Sequence, residues 1–272
     1  MNGSTETKCF SPSFPSPDTL DKFYISGRKM WPDLAELKNL KFDRSQVDDE
    51  VVQFMRSTAL NEYGVAHYIG SYLNSYKDDF KLRMWSAIWA AEEYVHYLVL
   101  RRMLEGLGES LTDEDFTGLE KGEFVNSYAD YFESILISPD VDRRMVQLIF
   151  GVIQEFAAVI AYTAVSEKCK IPEMGALFKR IARDETRHFR FNQLALESLC
   201  KNYSERECAM IWPQFRAIWG NLQMPQEHIE YFAELDMGTK LYTGFWSGEL
   251  KSRMILRMTQ YFKKFRQPVA VV

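Results

Sequence analysis

The sequence predicts an all-α protein, and three observations carry that prediction. Four long stretches repeat apolar residues at i, i+3, i+4 and i+7, the pattern of helices that bury one face. Two of them contain a Glu-x-x-His, at Glu93–His96 and at Glu185–His188. The other two each set one glutamate, Glu62 or Glu155, in the middle of an otherwise apolar stripe.

Residues 1–20 are rich in Ser, Thr and Pro and lack an apolar h-region, so they read as a flexible leader and not a signal peptide. Residues 21–272 are expected to form a single domain, since a chain of 272 residues can bury a sizeable core. After an irregular lead-in over 21–46, the first core helix is expected at about 48–75, with Met55, Ala59, Glu62, Ala66, Ile69 and Leu73 on one stripe. Tyr76-Lys77-Asp78-Asp79 makes a turn, and Asp78 or Asp79 caps the second helix. That helix runs over about 80–105, buries Trp85, Trp89, Glu93, His96, Leu100 and Met103, and stops at Gly106 and Gly108.

Residues 106–141 form a long connection with a helix of their own around 124–137. Ser138-Pro139-Asp140 opens the third core helix, about 140–168, whose buried face takes in Leu148, Gly151, Glu155, Ala158, Val159 and Tyr162. Only Cys169 to Pro172 separates it from the fourth, about 173–201, which carries Leu177, Ile181, Glu185, His188 and Asn192. Two or three shorter packing helices are expected over 203–266. Within them the tail Lys251 to Arg266 has six basic residues and no acidic one, a solvated face or a docking surface for an acidic partner. Short link, long crossover between the second and third helices, short link is the connectivity of a ferritin-like four-helix bundle.

Residues three apart share a helix face, so each Glu-x-x-His offers a carboxylate and an imidazole to one point. Glu62 precedes Glu93 by 31 residues and Glu155 precedes Glu185 by 30, so two helical hairpins bring all four glutamates to one depth. The expected ligand set of a dinuclear metal site is Glu62, Glu93, His96, Glu155, Glu185 and His188. Hard oxygen donors with one imidazole per metal suit iron or manganese better than zinc. Glu155 has no lysine or arginine one turn away, and a bound cation would offset the cost of burying it. Glu92 and Asp184, each preceding a ligand glutamate, are placed to accept the second N–H of a ligand histidine. His67 and His228 fit neither pair and read as structural or surface residues. Trp31, Trp85 and Trp89 read first as core packing.

Other classes are disfavoured. A net charge of −5 and a pI near 5.6 argue against a general nucleic-acid binder. Four cysteines without a C-x-x-C read as reduced thiols of a cytoplasmic protein. Leu148 to Val165 has nearly the composition of a membrane span, but Gln154 and Glu155 interrupt it, so it is expected to be a buried helix, with no membrane span.

With these residues placed, the chain resembles the soluble acyl-[acyl-carrier-protein] desaturases over roughly residues 50–230. The resemblance rests on Trp85-x-x-x-Trp89-x-x-Glu92-Glu93-x-x-His96, on Gln154-Glu155, on Asp184-Glu185-x-Arg187-His188, and more weakly on Met224-Pro225 followed by His228. It implies a homodimeric di-iron enzyme that activates dioxygen with electrons from ferredoxin or a similar donor. The substrate would be an acyl chain on acyl carrier protein, held in an apolar channel beside the metals near Gly151, Trp89, Ala158 and Tyr162. It further implies electron entry through Asp184, with Trp31 at the outer end. Arg143, Arg144, Lys179, Arg180 and Arg183, or the basic tail, are candidates to dock the acidic carrier.

Two departures matter, one of them that the chain is shorter than plant members of the family, mainly at its C-terminus. Family members carry threonine where this chain has Ala158, three residues after Glu155, and loss of that hydroxyl favours a hydroxylase or other oxygenase as the alternative outcome. A ferritin-like iron-handling protein is the reading from a different class.

Overall fold

The computed structural model describes residues 25, 27–28, 31, 37, 39–113, 115–116, 136–138, 141–222, 248–263 and 265. Among them the ordered elements are helices: α1 (Asp49–Tyr63), α2 (Val65–Ser75), α3 (Phe80–Gly106), α4 (Arg143–Lys168), α5 (Pro172–Cys200), α6 (Glu205–Ala209), α7 (Ile211–Leu222) and α8 (Gly248–Lys263). The chain is an all-α, ferritin-like bundle whose core is α1–α2, α3, α4 and α5. The leader 1–20, residues 124–135 of the helix expected at 124–137, and His228 lie outside the described residues, as does the side chain of His67, while Leu136 and Ile137 are described and not helical.

The first core helix is broken. α1 ends at Tyr63, and Gly64 (φ −64°, ψ −6°) turns the chain while its N–H still reaches Leu60 O at 2.9 Å. The near-zero ψ rotates α2 relative to α1, so the stripe expected beyond Glu62 is displaced by one residue. Val65, Tyr72 and Tyr76 are buried, whereas Ala66 is exposed, Ile69 is half-buried and Leu73 is 38 % exposed. The rotation leaves Glu62 in place, because the break lies just after it.

α3 starts where expected, with Asp79 Oδ1 accepting from the Leu82 N–H at 3.1 Å. α4 starts at Arg143, later than the Ser138-Pro139-Asp140 reading, because Asp142 is the residue with an extended backbone and a carboxylate on the Arg144 N–H (2.8 Å). The same carboxylate pairs with Arg144 Nη2 and accepts from Tyr203 Oη, both at 2.6 Å. Burial alone would raise its pKa, but Arg144 and Tyr203 outweigh burial and hold it below its ordinary value. Asp142→Ala is expected to destabilise the fold by about 1–2 kcal/mol, the scale of a lost cap plus a charged hydrogen bond. The lowered pKa makes that contribution present above the ordinary carboxylate range and lost in acid. Denaturant midpoints at neutral and acid pH check both statements, and equal gaps at the two would refute the second.

The core is divided in two by the acidic and histidine residues. One apolar cluster joins Val65, Tyr72, Trp85 and Trp89 to Met145–Phe156 and to Phe191–Leu199, and continues into Ile211, Phe215, Met258 and Phe262 of α7 and α8. The other joins Val51–Ala59 and Tyr97–Leu107 to Ala158–Val165 and Met174–Ala182. Each core helix passes from one cluster to the other through its ligand-bearing turn. α4 is long and apolar enough to cross a membrane, yet 72 % of its most apolar window is buried inside the protein. Cys169, Cys200 and Cys208 are in no disulfide.

Candidate dinuclear metal centre

Between the two clusters, Glu62, Glu93, His96, Glu155, Glu185 and His188 converge, none more than 4 % exposed. They form two groups, Glu62/Glu93/His96/Glu185 and Glu93/Glu155/Glu185/His188, and within each group the ligand atoms lie within 4.8 Å of one another. Glu93 and Glu185 belong to both, so they are placed to bridge, with Glu62 and Glu155 as terminal carboxylates. Both imidazoles point Nδ1 inward. His96 Nδ1 is 3.2 Å from Glu93 Oε2 and 3.3 Å from Glu185 Oε1. His188 Nδ1 is 3.0 Å from Glu93 Oε1 and 3.2 Å from Glu185 Oε2.

The residues fit a pair of cations. Glu93 Oε1 is buried and accepts no hydrogen bond, although an imidazole nitrogen stands 3.0 Å away. Such an oxygen would be costly unless its lone pair met a cation. Without metal the charges are in conflict. Burial, followed by repulsion from Glu93, pushes Glu62 well above the usual carboxylate pKa. Burial does the same to Glu155, with Glu185 and Glu93 adding to it against a hydrogen bond from His188. Burial would lower both histidines, but the surrounding carboxylates outweigh it and hold them well above the ordinary imidazole value.

A second layer of charge lies outside the histidines, and it crosses over. His96 Nε2 faces Asp184 Oδ2 on α5 at 3.3 Å, and His188 Nε2 faces Glu92 Oε2 on α3 at 2.8 Å. Each acid thus serves the histidine of the opposite helix, fixing the tautomer that leaves Nδ1 for the metal. Burial opposes ionisation of Asp184, but His96, His188 and Arg187 outweigh it and bring its pKa to about 2. Arg187 Nη2 donates to both Glu92 Oε2 (2.6 Å) and Asp184 Oδ1 (3.0 Å), tying the two arms together. The sequence motif contains Arg187 but assigns it no role, and its i,i+3 spacing from Asp184 is the one local signal of this pairing. Gly27 closes over this clamp: a Cβ there would collide with Glu92 Oε1 and stand 2.6 Å from Arg187 Nη2.

Trp31 Nε1 donates to Asp184 Oδ2 at 2.6 Å, its ring centroid is 6.4 Å from that of His96, and Arg180 lies over its face at 4.4 Å. The four residues expected to line the oxygen pocket or substrate channel flank the ligand layer. Gly151 and Trp89 lie on one side of the ligand layer, and Ala158 and Tyr162 on the other. Trp89 stacks on Tyr72 with centroids 4.8 Å apart. The space in front of Gly151 is filled by Asn192, whose Nδ2 would be 2.8 Å from an added Cβ. Tyr162 Oη donates to Glu62 Oε1 at 2.6 Å. Ala158 is buried and offers no hydroxyl.

The candidate docking residues also divide. Arg144 is held by Asp142 at the start of α4, and Arg180 covers Trp31. With Gly151 level with Asn192 and Glu155 level with His188, α4 and α5 are antiparallel. Arg143 and Arg144 then lie roughly 25 Å along the hairpin from Lys179, Arg180 and Arg183, at 1.5 Å per residue. They cannot form one small patch, because the hairpin puts them at different levels.

Fold and site together define a ferritin-like helical bundle with a carboxylate–histidine centre suited to two metal ions. A family model described as Rubrerythrin matches residues 148–243. No curated protein matches the chain. The comparisons give no support to the narrower resemblance to acyl-carrier-protein desaturases.

Proposed function

We propose that this chain is a dioxygen-dependent di-iron oxidoreductase acting on an unactivated C–H bond, with an acyl chain carried as a thioester on acyl carrier protein as its substrate class and a ferredoxin-type protein as electron donor. The observation that carries the oxidoreductase reading is the sharing of Glu93 and Glu185 between two buried ligand groups. The acyl-carrier reading rests on the sequence motifs alone. Bound iron would supply the redox capacity to reduce dioxygen.

The chain's own residues hold and insulate that chemistry. Asp184 and Glu92 keep the Nε2 protons of His96 and His188 on the outer side. Arg187 bridges the two acids and holds them in register. The two apolar clusters exclude water above and below the ligand layer, which strengthens every charge interaction within it. Trp31, bonded to Asp184, gives the buried His96 a hydrogen-bonded route outward.

Ala158 favours a second reading, in which oxygen is inserted instead of two hydrogens being removed. Its methyl group leaves no hydroxyl one turn beyond Glu155 to deliver a proton. Aerobic turnover with reduced ferredoxin and a series of acyl-carrier thioesters, with product mass as the readout, tests the proposal. Loss of two hydrogens supports desaturation and gain of oxygen supports the second reading. Unaltered thioesters across the series, with iron bound, would rule out the acyl-carrier substrate.

A further inference from the structure

We infer that the two metal positions are inequivalent and that Tyr162 sets the difference. It fixes the Glu62 carboxylate, so the Glu62/His96 position holds its ion tightly, while the Glu155/His188 position exchanges its ion and admits an exogenous ligand. This inference rests on the dinuclear reading of the site and goes beyond it.

The two terminal carboxylates stand in different surroundings. Glu62 ends α1, one residue before the backbone leaves helical register after Tyr63, so its own helix holds it least firmly. The constraint comes from across the bundle: the Tyr162 phenol donates to Oε1 at 2.6 Å, leaving Oε2 for a metal. That phenol cannot swing away. Tyr162 is fully buried, with Phe54 edge-on at 5.6 Å and Phe178 stacked at 6.4 Å. A carboxylate with one oxygen held by a fixed donor is a one-oxygen ligand with a set direction.

Glu155 has the opposite situation. It rises from the unbroken middle of α4, and its ion-pair neighbour is His188, Nδ1 to Oε2 at 3.6 Å, itself a ligand. Among the described residues no other side chain holds either oxygen, and the residue one turn on is Ala158, a methyl group. This carboxylate is free to move between one-oxygen and two-oxygen binding, which is what opening a coordination position requires. Tyr162 is therefore a positioning residue, acting through Glu62.

The test is an anaerobic titration of metal-free, full-length protein with Co(II), followed by calorimetry and by the visible absorption of the bound ion, with azide then added as a small exogenous ligand. Wild type is expected to bind two ions with separated affinities, azide perturbing the spectrum of the weaker one. Tyr162→Phe, and Tyr162→Leu as a second hydroxyl-free variant, should weaken the tight site by about 10–100-fold, the range for a lost partner of a metal ligand, and leave the weak site unchanged. Met174→Leu, a packing change in the same apolar cluster about three turns from Glu185 along α5, should leave both affinities as they are. The inference is overturned if the hydroxyl-free variants keep both affinities, if both fall together, or if Met174→Leu reproduces the pattern. Binding of fewer than two Co(II) by wild type would instead remove the dinuclear reading underneath it.

Discussion

Glu185→Ala is expected to reduce ferrous ion bound under anaerobic conditions from two per chain to fewer than one, whereas Glu155→Ala should retain one. Glu185 is in both ligand groups, and its two oxygens stand 3.3 Å from His96 Nδ1 and 3.2 Å from His188 Nδ1. Removing it takes a donor from each metal position and leaves Glu93 alone to bridge. Glu155 belongs to one group only. The shared residue should therefore cost more than about 100-fold in affinity at both positions, exceeding the 10–100-fold typical of an outer partner. Oxidation of any substrate should fall below detection with it. Iron per folded chain after desalting gives the answer, with helical content as the check on folding. Equal metal loss in the two variants would mean that Glu93 and Glu185 do not bridge.

Metal removal is expected to reverse the pH dependence of stability. In the metal-free protein, burial and then neighbouring carboxylates raise the pKa of Glu62, and Glu155 is raised likewise. His96 and His188 are raised too, the carboxylates around them outweighing burial. A group whose folded pKa is raised binds its proton more tightly in the folded state. Its stabilising contribution is complete below the unfolded pKa and is lost as pH rises through the folded one. For the glutamates the loss begins above the ordinary carboxylate pKa, and for the histidines above ordinary imidazole. Across pH 6 to 8 the raised groups act in the same direction. Asp184 shifts the other way, but its window lies in acid. Metal ions replace those protons, so the loaded protein should gain stability over the same range. Urea midpoints at pH 6 and pH 8, with and without anaerobic Mn(II), should move in opposite directions. Parallel curves would mean that the cluster does not exchange protons for metal.

Parts of this molecule are legible in the sequence because they are local. The stripe of α3, from Trp85 through Glu93 and His96 to Met103, follows from helical periodicity, and every residue on it is buried. Asp79 is recognisable as a cap because a cap acts within three residues. The Gly64 break is less legible, since glycine is tolerated inside helices and nothing nearby marks the turn. It displaces the buried face to Val65 and Tyr72. The start of α4 is ambiguous in sequence because Asp140 and Asp142 are both acidic residues ahead of an apolar run. Asp142 reaches the Arg144 N–H while also meeting Tyr203 from beyond the end of α5.

The sequence by itself determined the helices, their order and the six side chains able to hold metal, because spacing along one helix fixes which residues share a face. Tertiary structure decided every pairing between helices: Glu92 with His188, Asp184 with His96, Arg187 between both acids, Tyr162 on Glu62, and Asn192 in the gap at Gly151. The physical reason is that helical periodicity gives direction around an axis but not which neighbour stands opposite. Hydrogen bonds and close packing depend on separations of a few ångströms, which only the packed bundle sets.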